Sequence, residues 1–179
     1  MMFQHDRARP ICYPFHRYPF FQRSKCYRTN RTENTNTILN NINPEFAKSI
    51  IQIGEAHSLL RIKELADSGY MVALLADRVV KKEKSMPCEF LGKKADFPSG
   101  PFTLAGILKV PVVLFFGIYK GGNRYDIYFE KLADQFQFDE KDEENSKQKW
   151  MQRYADRLAH YSKQDPFNWF NFFDYWEEN

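Results

Sequence analysis

The sequence has few cysteines, no glycine-rich nucleotide-binding loop and no apolar run that could span a membrane. Its three cysteines, Cys12, Cys26 and Cys88, are an odd number without close spacing, which argues against a disulfide framework or a zinc site and favours a reducing compartment. The motifs GxGxxG and GxxxxGKS/T, which bind nucleotides, are absent. The longest apolar stretch, residues 110–119, is well short of the ~20 residues that a membrane-spanning helix requires. Membrane contact by this chain is therefore expected to be peripheral.

The composition is that of a globular domain. Hydrophobic residues make up 43% and charged residues 27% of the 179 residues, which suits one domain with one sizeable core. Aromatic residues make up 17%, which fits an apolar groove or a lipid-contacting surface, and equally an aromatic-rich core. The net charge of +3 is too small to indicate nucleic acid, and the basic residues fit no recognition element for it. Nucleic acid is therefore not an expected partner.

Basic residues cluster around one predicted loop. The cluster consists of Arg78, Lys81, Lys82, Lys84, Lys93 and Lys94. Such a cluster is able to hold an anionic lipid head group or an acidic carrier protein, and it is also the ordinary composition of a solvated loop. Both interpretations stay open at this point.

The chain divides by composition near residue 28. Residues 1–28 are basic and aromatic, contain three prolines, and have neither a helical nor a strand period. We expect them to be an irregular tail or an artefactual N-terminus. Residues 29–179 have regular patterns and are expected to form the domain.

The first half of the domain has the pattern of a βαβ unit. Residues 32–41 fit a short helix that ends before Pro44. Residues 49–53 and 70–76 are apolar runs typical of strands, and residues 58–68 between them have one apolar face and a following Gly69. A strand, a helix and a second strand in this order predict parallel pairing.

The second half alternates short strands and helices. In chain order we predict a short strand at 88–91, a turn at 97–101, a helix at 102–108, a buried strand at 110–118, a turn at 121–123, an edge strand at 124–130 and an amphipathic helix at 146–161. Together with the first half, these elements predict an α/β fold with a mixed, largely parallel sheet flanked by helices.

Two motifs are candidate binding sites. Asp77 and Arg78 follow a predicted buried strand, at the end of the sheet where ligands collect in open α/β folds. An arginine there is able to bind a phosphate and the aspartate to orient a hydroxyl, although an exposed ion pair would look the same. Residues 97–101 (FPSGP) form a tight turn whose backbone N–H groups could face an anion, or a plain turn from strand to helix.

The order of these pieces resembles a known family. Five features follow one another in the chain: a strand that ends in Asp-Arg, a basic loop, FPSGP, a short helix and VPVVLFF. In this order they resemble the lysophospholipid acyltransferase superfamily, and more closely its bacterial lipid A biosynthesis branch of lauroyl and myristoyl transferases. Residues 97–100 match its Phe-Pro-x-Gly block and residues 110–112 its Val-Pro-Val block. The wider superfamily often has Glu where this chain has Ser99. The resemblance extends from about residue 29 to residue 176, including the aromatic ending.

The resemblance implies an activity and its partners. It implies transfer of a fatty acyl chain from acyl carrier protein, or from acyl-CoA, to a hydroxyl of a glycolipid acceptor in lipid A or related lipid biosynthesis. It implies a peripheral location at the cytoplasmic face of the bacterial inner membrane, and no metal or organic cofactor. The implied substrate-binding residues are Asp77, Arg78, Phe97, Pro98, Ser99 and Gly100.

The resemblance also implies a catalytic His-x4-Asp pair, whose histidine acts as general base on the acceptor hydroxyl. Of the four histidines, only His160 has an aspartate five residues later, at Asp165. The family places its pair upstream of the Asp-Arg block, whereas His160 lies near the end of the last helix, where a histidine is favoured by the helix dipole. We therefore expect the chain to be truncated at its N-terminus and to lack this pair. The alternative to an acyltransferase is a catalytically inactive remnant, or a binding module for acyl carrier protein or anionic lipid.

Overall fold

The computed structural model describes residues 24–28, 40–44, 50–52, 56–79, 83–169 and 175–176. These residues have a mixed α/β structure, which confirms the predicted class. They belong to two compact units, and the boundary between the units lies between Leu75 and Ala76.

The unit before Ala76 contains a three-stranded parallel sheet. Its strands are β1 (Ser24–Arg28), β2 (Ile50–Gln52) and β3 (Met71–Ala73), in the order β2-β1-β3. Helix α1 (Ala56–Asp67) connects β2 to β3. The predicted βαβ unit is therefore present, but β1 lies between its two strands.

Helix α1 has the predicted C-terminal cap. Ile62 and Leu65 on its apolar face are buried. Gly69 has φ +79°, the left-handed region that favours glycine. The N–H of Gly69 donates to Ala66 O at 3.0 Å and that of Tyr70 to Leu65 O at 2.9 Å, which is the paired arrangement of a Schellman cap.

The second unit begins with a hairpin that leads into a helix. Strand β4 (Ser85–Phe90) pairs antiparallel with β5 (Lys93–Pro98), and helix α2 (Gly100–Leu108) follows after Ser99. Side chains of the hairpin alternate between its two faces, so Cys88 and Phe90 of β4 are buried on the same face as Ala95 and Phe97 of β5, and Cys88 lies opposite Ala95. This hairpin fixes the position of the FPSGP turn.

A second hairpin packs against the long helix of this unit. Strand β6 (Val112–Tyr119) pairs antiparallel with β7 (Tyr125–Ala133), and helix α3 (Glu143–Gln164) begins after Asp142, whose side chain accepts from Asn145 N. A short 3-10 helix, Pro166–Asn168, follows α3.

Helix α3 is bound to both hairpins. On the β7 side, Arg157 donates two hydrogen bonds of 2.6 Å to the carboxylate of Glu130. On the β4 side, the amide of Gln152 accepts from Glu89 N at 2.8 Å and donates to Glu89 O at 2.9 Å. Gln148, one helical turn earlier, donates to Pro87 O. Two glutamines thus satisfy the outer edge of β4, because i, i+4 spacing on a helix approximates i, i+2 spacing on a strand.

The apolar core of this unit is rich in aromatic rings. Its fully buried large side chains are Phe90, Phe97, Phe102, Leu114, Phe116, Met151, Tyr154 and Leu158. Phe116 stacks on Tyr161 with ring centroids 4.3 Å apart. Much of the high aromatic content is therefore core. None of the helices among the described residues combines the length and the apolarity needed to cross a bilayer.

The predicted largely parallel sheet is wrong. Four of the seven described strands pair antiparallel in two hairpins, and parallel pairing is confined to β1, β2 and β3. An apolar run shows that a strand is buried but does not show the direction of its neighbour. The run at 110–118 forms β6, but β6 belongs to a hairpin. The run at 70–76 gives only the three half-exposed residues of β3.

The N-terminal boundary also differs from the prediction. Strand β1 lies within residues 1–28, the segment predicted to be irregular, and it is the central strand of its sheet. Residues 1–23 lie outside the described residues. The helix predicted at 32–41 lies mostly outside them too, and residues 40–42 are helical.

Candidate functional site

The FPSGP turn connects β5 to α2, and its first residues are buried. The side chain of Phe97 is 0% exposed. Its ring lies 5.6 Å from that of Phe90, and 6.0 Å from those of Tyr154 and Tyr175, between centroids. Pro98 is fully buried as well. Phe97 and Pro98 therefore support the turn from the core and do not face solvent.

Ser99 locks the turn to the segment that precedes β4. Its N–H and its hydroxyl both donate to Lys84 O, at 2.9 and 3.0 Å. Its own carbonyl accepts from the N–H and the hydroxyl of Thr103 in α2. Ser99 is 7% exposed, so its hydroxyl is committed to backbone structure.

The N-terminus of α2 faces a carboxylate. Gly100 is exposed, and a Cβ at this position would lie 3.4 Å from Oε1 of Glu83. Pro101 has no N–H, so Gly100 and Phe102 supply the free donors of the first turn. A carboxylate is favoured at this end of a helix. The predicted anion site is therefore already faced by an acidic side chain.

Asp77 is connected to the turn through Tyr175. The hydroxyl of Tyr175 donates to the main-chain carbonyl of Asp77, and its ring packs against Phe97. Asp77 is half-buried. This burial raises the pKa of the Asp77 carboxyl, and its own backbone N–H and the charge of Arg78 oppose the shift. The structure thus brings Asp77 and the FPSGP turn together.

The basic cluster is divided by the β4–β5 hairpin. Lys84 lies beside Ser99 at the open end, whereas Lys93 and Lys94 lie at the turn, six strand residues away or roughly 20 Å. The ammonium of Lys93 lies 5.9 Å from the ring centroid of Trp176. Arg78 is exposed. Lys81 and Lys82 lie outside the described residues.

Tyr154 and Tyr175 were not predicted as site residues. Tyr154 is 2% exposed, and its ring lies 6.0 Å from Phe97 and 5.9 Å from Phe102. Burial, then the nearby charges of Asp77 and Tyr175, raise the pKa of Tyr154 well above its ordinary value. The sequence indicated Tyr154 only as a residue of the predicted amphipathic helix at 146–161 and Tyr175 only as part of an aromatic ending.

His160 and Asp165 do not form a pair. His160 is exposed on α3 and its ring lies 5.1 Å from that of Tyr161. The carboxylate of Asp165 binds Lys120 and accepts from Asn168. Of the other histidines, His57 is exposed on α1, and His5 and His16 lie outside the described residues.

Neither a metal ion nor a reactive thiol is indicated near this site. Within the described ranges, no three His, Cys, Asp or Glu side chains are grouped as metal ligands would be. Burial raises the pKa of the Cys88 thiol to about 12. The thiol is therefore protonated at neutral pH and is a poor nucleophile.

The sequence model of the bacterial lipid A biosynthesis acyltransferase family matches residues 16–178, almost the whole chain. The chain belongs to this family. No curated protein is similar enough to count as a match. The family match includes Asp77, Arg78 and the FPSGP turn, and it gives the chain a general acyltransferase-type role with an acyl donor and a lipid acceptor.

Proposed function

We propose that the chain serves the transfer of a fatty acyl group from acyl carrier protein, or from acyl-CoA, to a hydroxyl of a glycolipid at the cytoplasmic face of the bacterial inner membrane. Family membership supports acyl transfer in lipid A biosynthesis. The main support for the proposed site is the hydrogen bond from Tyr175 to Asp77. Because the ring of Tyr175 also packs against Phe97, this bond attaches the Asp-Arg motif to the FPSGP turn.

In this proposal Asp77 orients the acceptor hydroxyl. Its carboxylate is half-buried, and within the described part of the chain its only hydrogen bond comes from its own backbone N–H. Such a carboxylate is able to accept a hydrogen bond from a substrate hydroxyl. Arg78, the next residue in the chain, is exposed, and its charge-assisted bonds would hold an anionic acceptor group. Lys84 is exposed at the open end of the β4–β5 hairpin, beside Ser99 of the FPSGP turn.

The residues of the FPSGP turn have two proposed roles: some hold the turn in place, and Gly100 leaves space for the substrate. Phe97, Pro98 and Ser99 are buried and hold the turn in place, so we propose that they act on the acceptor indirectly. Gly100 is exposed and has no side chain, which leaves room for close approach of a substrate. Glu83 beside Gly100 favours a hydroxyl over a phosphate at this point, because two negative groups would repel each other.

The reaction joins the acceptor oxygen to the acyl carbonyl carbon and releases the donor thiol, while the hydroxyl proton passes to a base. Family resemblance assigns that base to a His-x4-Asp pair, which is not formed among the described residues, so in this chain the proton passes to water. Because Asp165 binds Lys120, we expect His160→Ala to leave transfer by this chain unchanged. Loss of transfer in His160→Ala, with Lys163→Ala on the same helix as control, would identify His160 as the base.

A second candidate is a binding module without chemistry. Lys93, Lys94 and Trp176 favour it, because two exposed cations at a hairpin turn, one of them beside an indole ring, suit an acidic carrier or an anionic lipid surface. Sedimentation with anionic liposomes separates the two candidates. Binding without turnover supports the module, and absence of binding excludes it.

The proposed acceptor site is tested by measuring transfer of a labelled acyl chain from acyl carrier protein to a lipid A precursor. Arg78→Gln is expected to raise KM for the acceptor about tenfold, the effect of one lost charge-assisted bond. Arg124→Gln, a change at an exposed arginine beside the β6–β7 turn, is the control. Equal KM values for the two variants would contradict the assignment of Arg78.

A further inference from the structure

The β6–β7 hairpin packs one face against helix α3, and its opposite face is also apolar. On the α3 side, Phe116 stacks on Tyr161. Because side chains alternate along each strand, the residues between those of the inner face point to the other side. This outer face consists of Val113, Phe115, Gly117 and Tyr119 of β6 and Tyr125, Ile127, Phe129 and Lys131 of β7. Lys131 is the one charged residue among these eight, and it forms an ion pair with Asp134.

An apolar outer face is unusual for a hairpin of this kind. An antiparallel sheet that packs one face on the core commonly has polar side chains on the other face. In this hairpin Phe129 is 51% exposed, Val113 43% and Tyr125 38%. These three residues share one face and are not scattered over the surface. A grouped apolar surface of this kind marks a contact site.

The size of the outer face favours a lipid surface over a protein as its partner. Residues 113–119 span about 20 Å along β6 and two strands are about 10 Å wide, which gives a patch of roughly 200 Å². A stable protein–protein interface buries about 800 Å² of each partner. A second copy of the chain would therefore need contacts well beyond this hairpin. Binding to a bilayer has no such minimum, because its strength grows with the apolar area that is inserted.

The order of side chains along the outer face also suits a bilayer surface. Phe115 and Phe129 form a central pair, with ring centroids 5.1 Å apart. Tyr119 and Tyr125 form a second pair at the turn, with ring centroids 5.2 Å apart, and Lys131 lies at the other end. Tyrosine and lysine are able to place an apolar body in the lipid and a polar tip among the head groups. The central rings are thus flanked at both ends by residues that favour the membrane interface.

We propose that the outer face of the β6–β7 hairpin is the surface through which the chain binds the lipid bilayer, with the side chains of Phe129 and Val113 inserted below the head groups. This inference rests on the membrane location in the proposed function, and it names the surface that makes the contact. It differs from binding through Lys93 and Lys94, because insertion of apolar side chains does not require anionic lipid.

Sedimentation of the full chain with vesicles tests this surface without acyl transfer. We expect binding to vesicles of phosphatidylcholine alone, retained at high salt. Phe129→Thr should weaken this binding about tenfold and Val113→Thr about threefold, since each change removes inserted apolar surface. Threonine keeps the strand preference of both positions. Leu60→Thr, at a leucine of α1 that is 67% exposed, is the matched control and should bind as wild type does.

Each alternative occupant of the face gives a different result. Absence of binding to phosphatidylcholine vesicles would overturn the proposal, and so would binding that requires phosphatidylglycerol and is lost at high salt. Val113→Thr keeps the branched shape of the side chain, so it decides the matter if Phe129→Thr fails to fold. Equal binding by Val113→Thr and Leu60→Thr would contradict the assignment. A dimer of wild type without vesicles that dissociates in Val113→Thr would assign the face to a second copy.

Tryptophan fluorescence tests the depth of the contact. In Phe129→Trp, vesicles with brominated acyl chains are expected to quench emission that wild type lacks, because the bromines lie in the bilayer interior. In Leu60→Trp the added emission should not be quenched. No added quenching in Phe129→Trp would overturn the proposal. If vesicles bind as predicted and no transfer occurs, the proposed function fails and the membrane surface stands. Transfer to a detergent-dispersed acceptor without vesicle binding would overturn the surface alone.

Discussion

Tyr175 donates its hydroxyl hydrogen to the main-chain carbonyl of Asp77, a residue 98 positions earlier in the chain. This bond brings the aromatic C-terminal segment to the Asp-Arg motif. Because the ring of Tyr175 also packs on Phe97 and Phe90, one side chain joins the motif, the FPSGP turn and the first hairpin. The geometry of the candidate site therefore depends on a residue outside both motifs.

Removal of this hydroxyl should loosen the Asp77 segment. We expect Tyr175→Phe to lower the free energy of unfolding by about 1 kcal/mol, since one buried hydrogen bond is lost while the ring packing is kept. Denaturant unfolding measures the loss, and hydrogen exchange should show faster exchange at the amides of Asp77 and Arg78. Tyr125→Phe, at an exposed tyrosine of β7, is the control. Equal stability and equal exchange rates in the two variants would show that the bond does not stabilise the Asp77 segment.

Gln152 of α3 should contribute to the stability of the fold although its side chain is partly exposed. Gln152 makes two hydrogen bonds to the backbone of Glu89, so Gln152→Ala removes both from the outer edge of β4. We expect a loss of roughly 1–2 kcal/mol in the free energy of unfolding. Lys149→Ala, an exposed change on the same helix, should cost almost nothing. A Gln152 variant as stable as the Lys149 variant would mean that water replaces the amide at no cost.

The raised pKa of Asp77 predicts how stability depends on pH. A carboxyl with a higher pKa in the folded state contributes stability that is complete below the unfolded pKa of about 3.8 and is lost as pH rises through the folded pKa. Asp77→Asn should therefore raise the melting temperature at pH 7 and should have little effect near pH 3. Asp126→Asn, at an exposed aspartate of β7, is the control. A lower melting temperature at pH 7 for Asp77→Asn would contradict this sign.

Local patterns in the sequence predicted the helices well. The apolar face and Gly69 predicted α1 with its cap, and FPSGP followed by an apolar run predicted α2. The β4–β5 hairpin was missed because its turn is Leu91-Gly92. Both residues have positive φ, +53° and +87°, which a two-residue hairpin turn requires, but the usual sequence signal is Asn-Gly or Asp-Gly. The missed turn contributed to the wrong expectation of a largely parallel sheet.

The site was predicted less well because it depends on tertiary contacts. Sequence alone identified Asp77, Arg78 and FPSGP, but it did not show that Phe97 and Pro98 are buried. It treated the basic residues as one cluster, whereas the hairpin separates Lys84 from Lys93 and Lys94. The burial of the Tyr154 hydroxyl depends on Phe97 and Phe102, and no local pattern predicts such a contact.

Asp77 is the residue proposed to bind and orient the acceptor hydroxyl. The decisive measurement is kcat/KM for a lipid A precursor in Asp77→Asn and in the control Asp126→Asn, with acyl carrier protein that bears a labelled acyl chain as the donor. We predict a loss of about 100-fold for Asp77→Asn, the effect of losing one hydrogen bond from the acceptor hydroxyl to a charged group, and wild-type transfer for the control. Wild-type transfer by Asp77→Asn would contradict the proposed site.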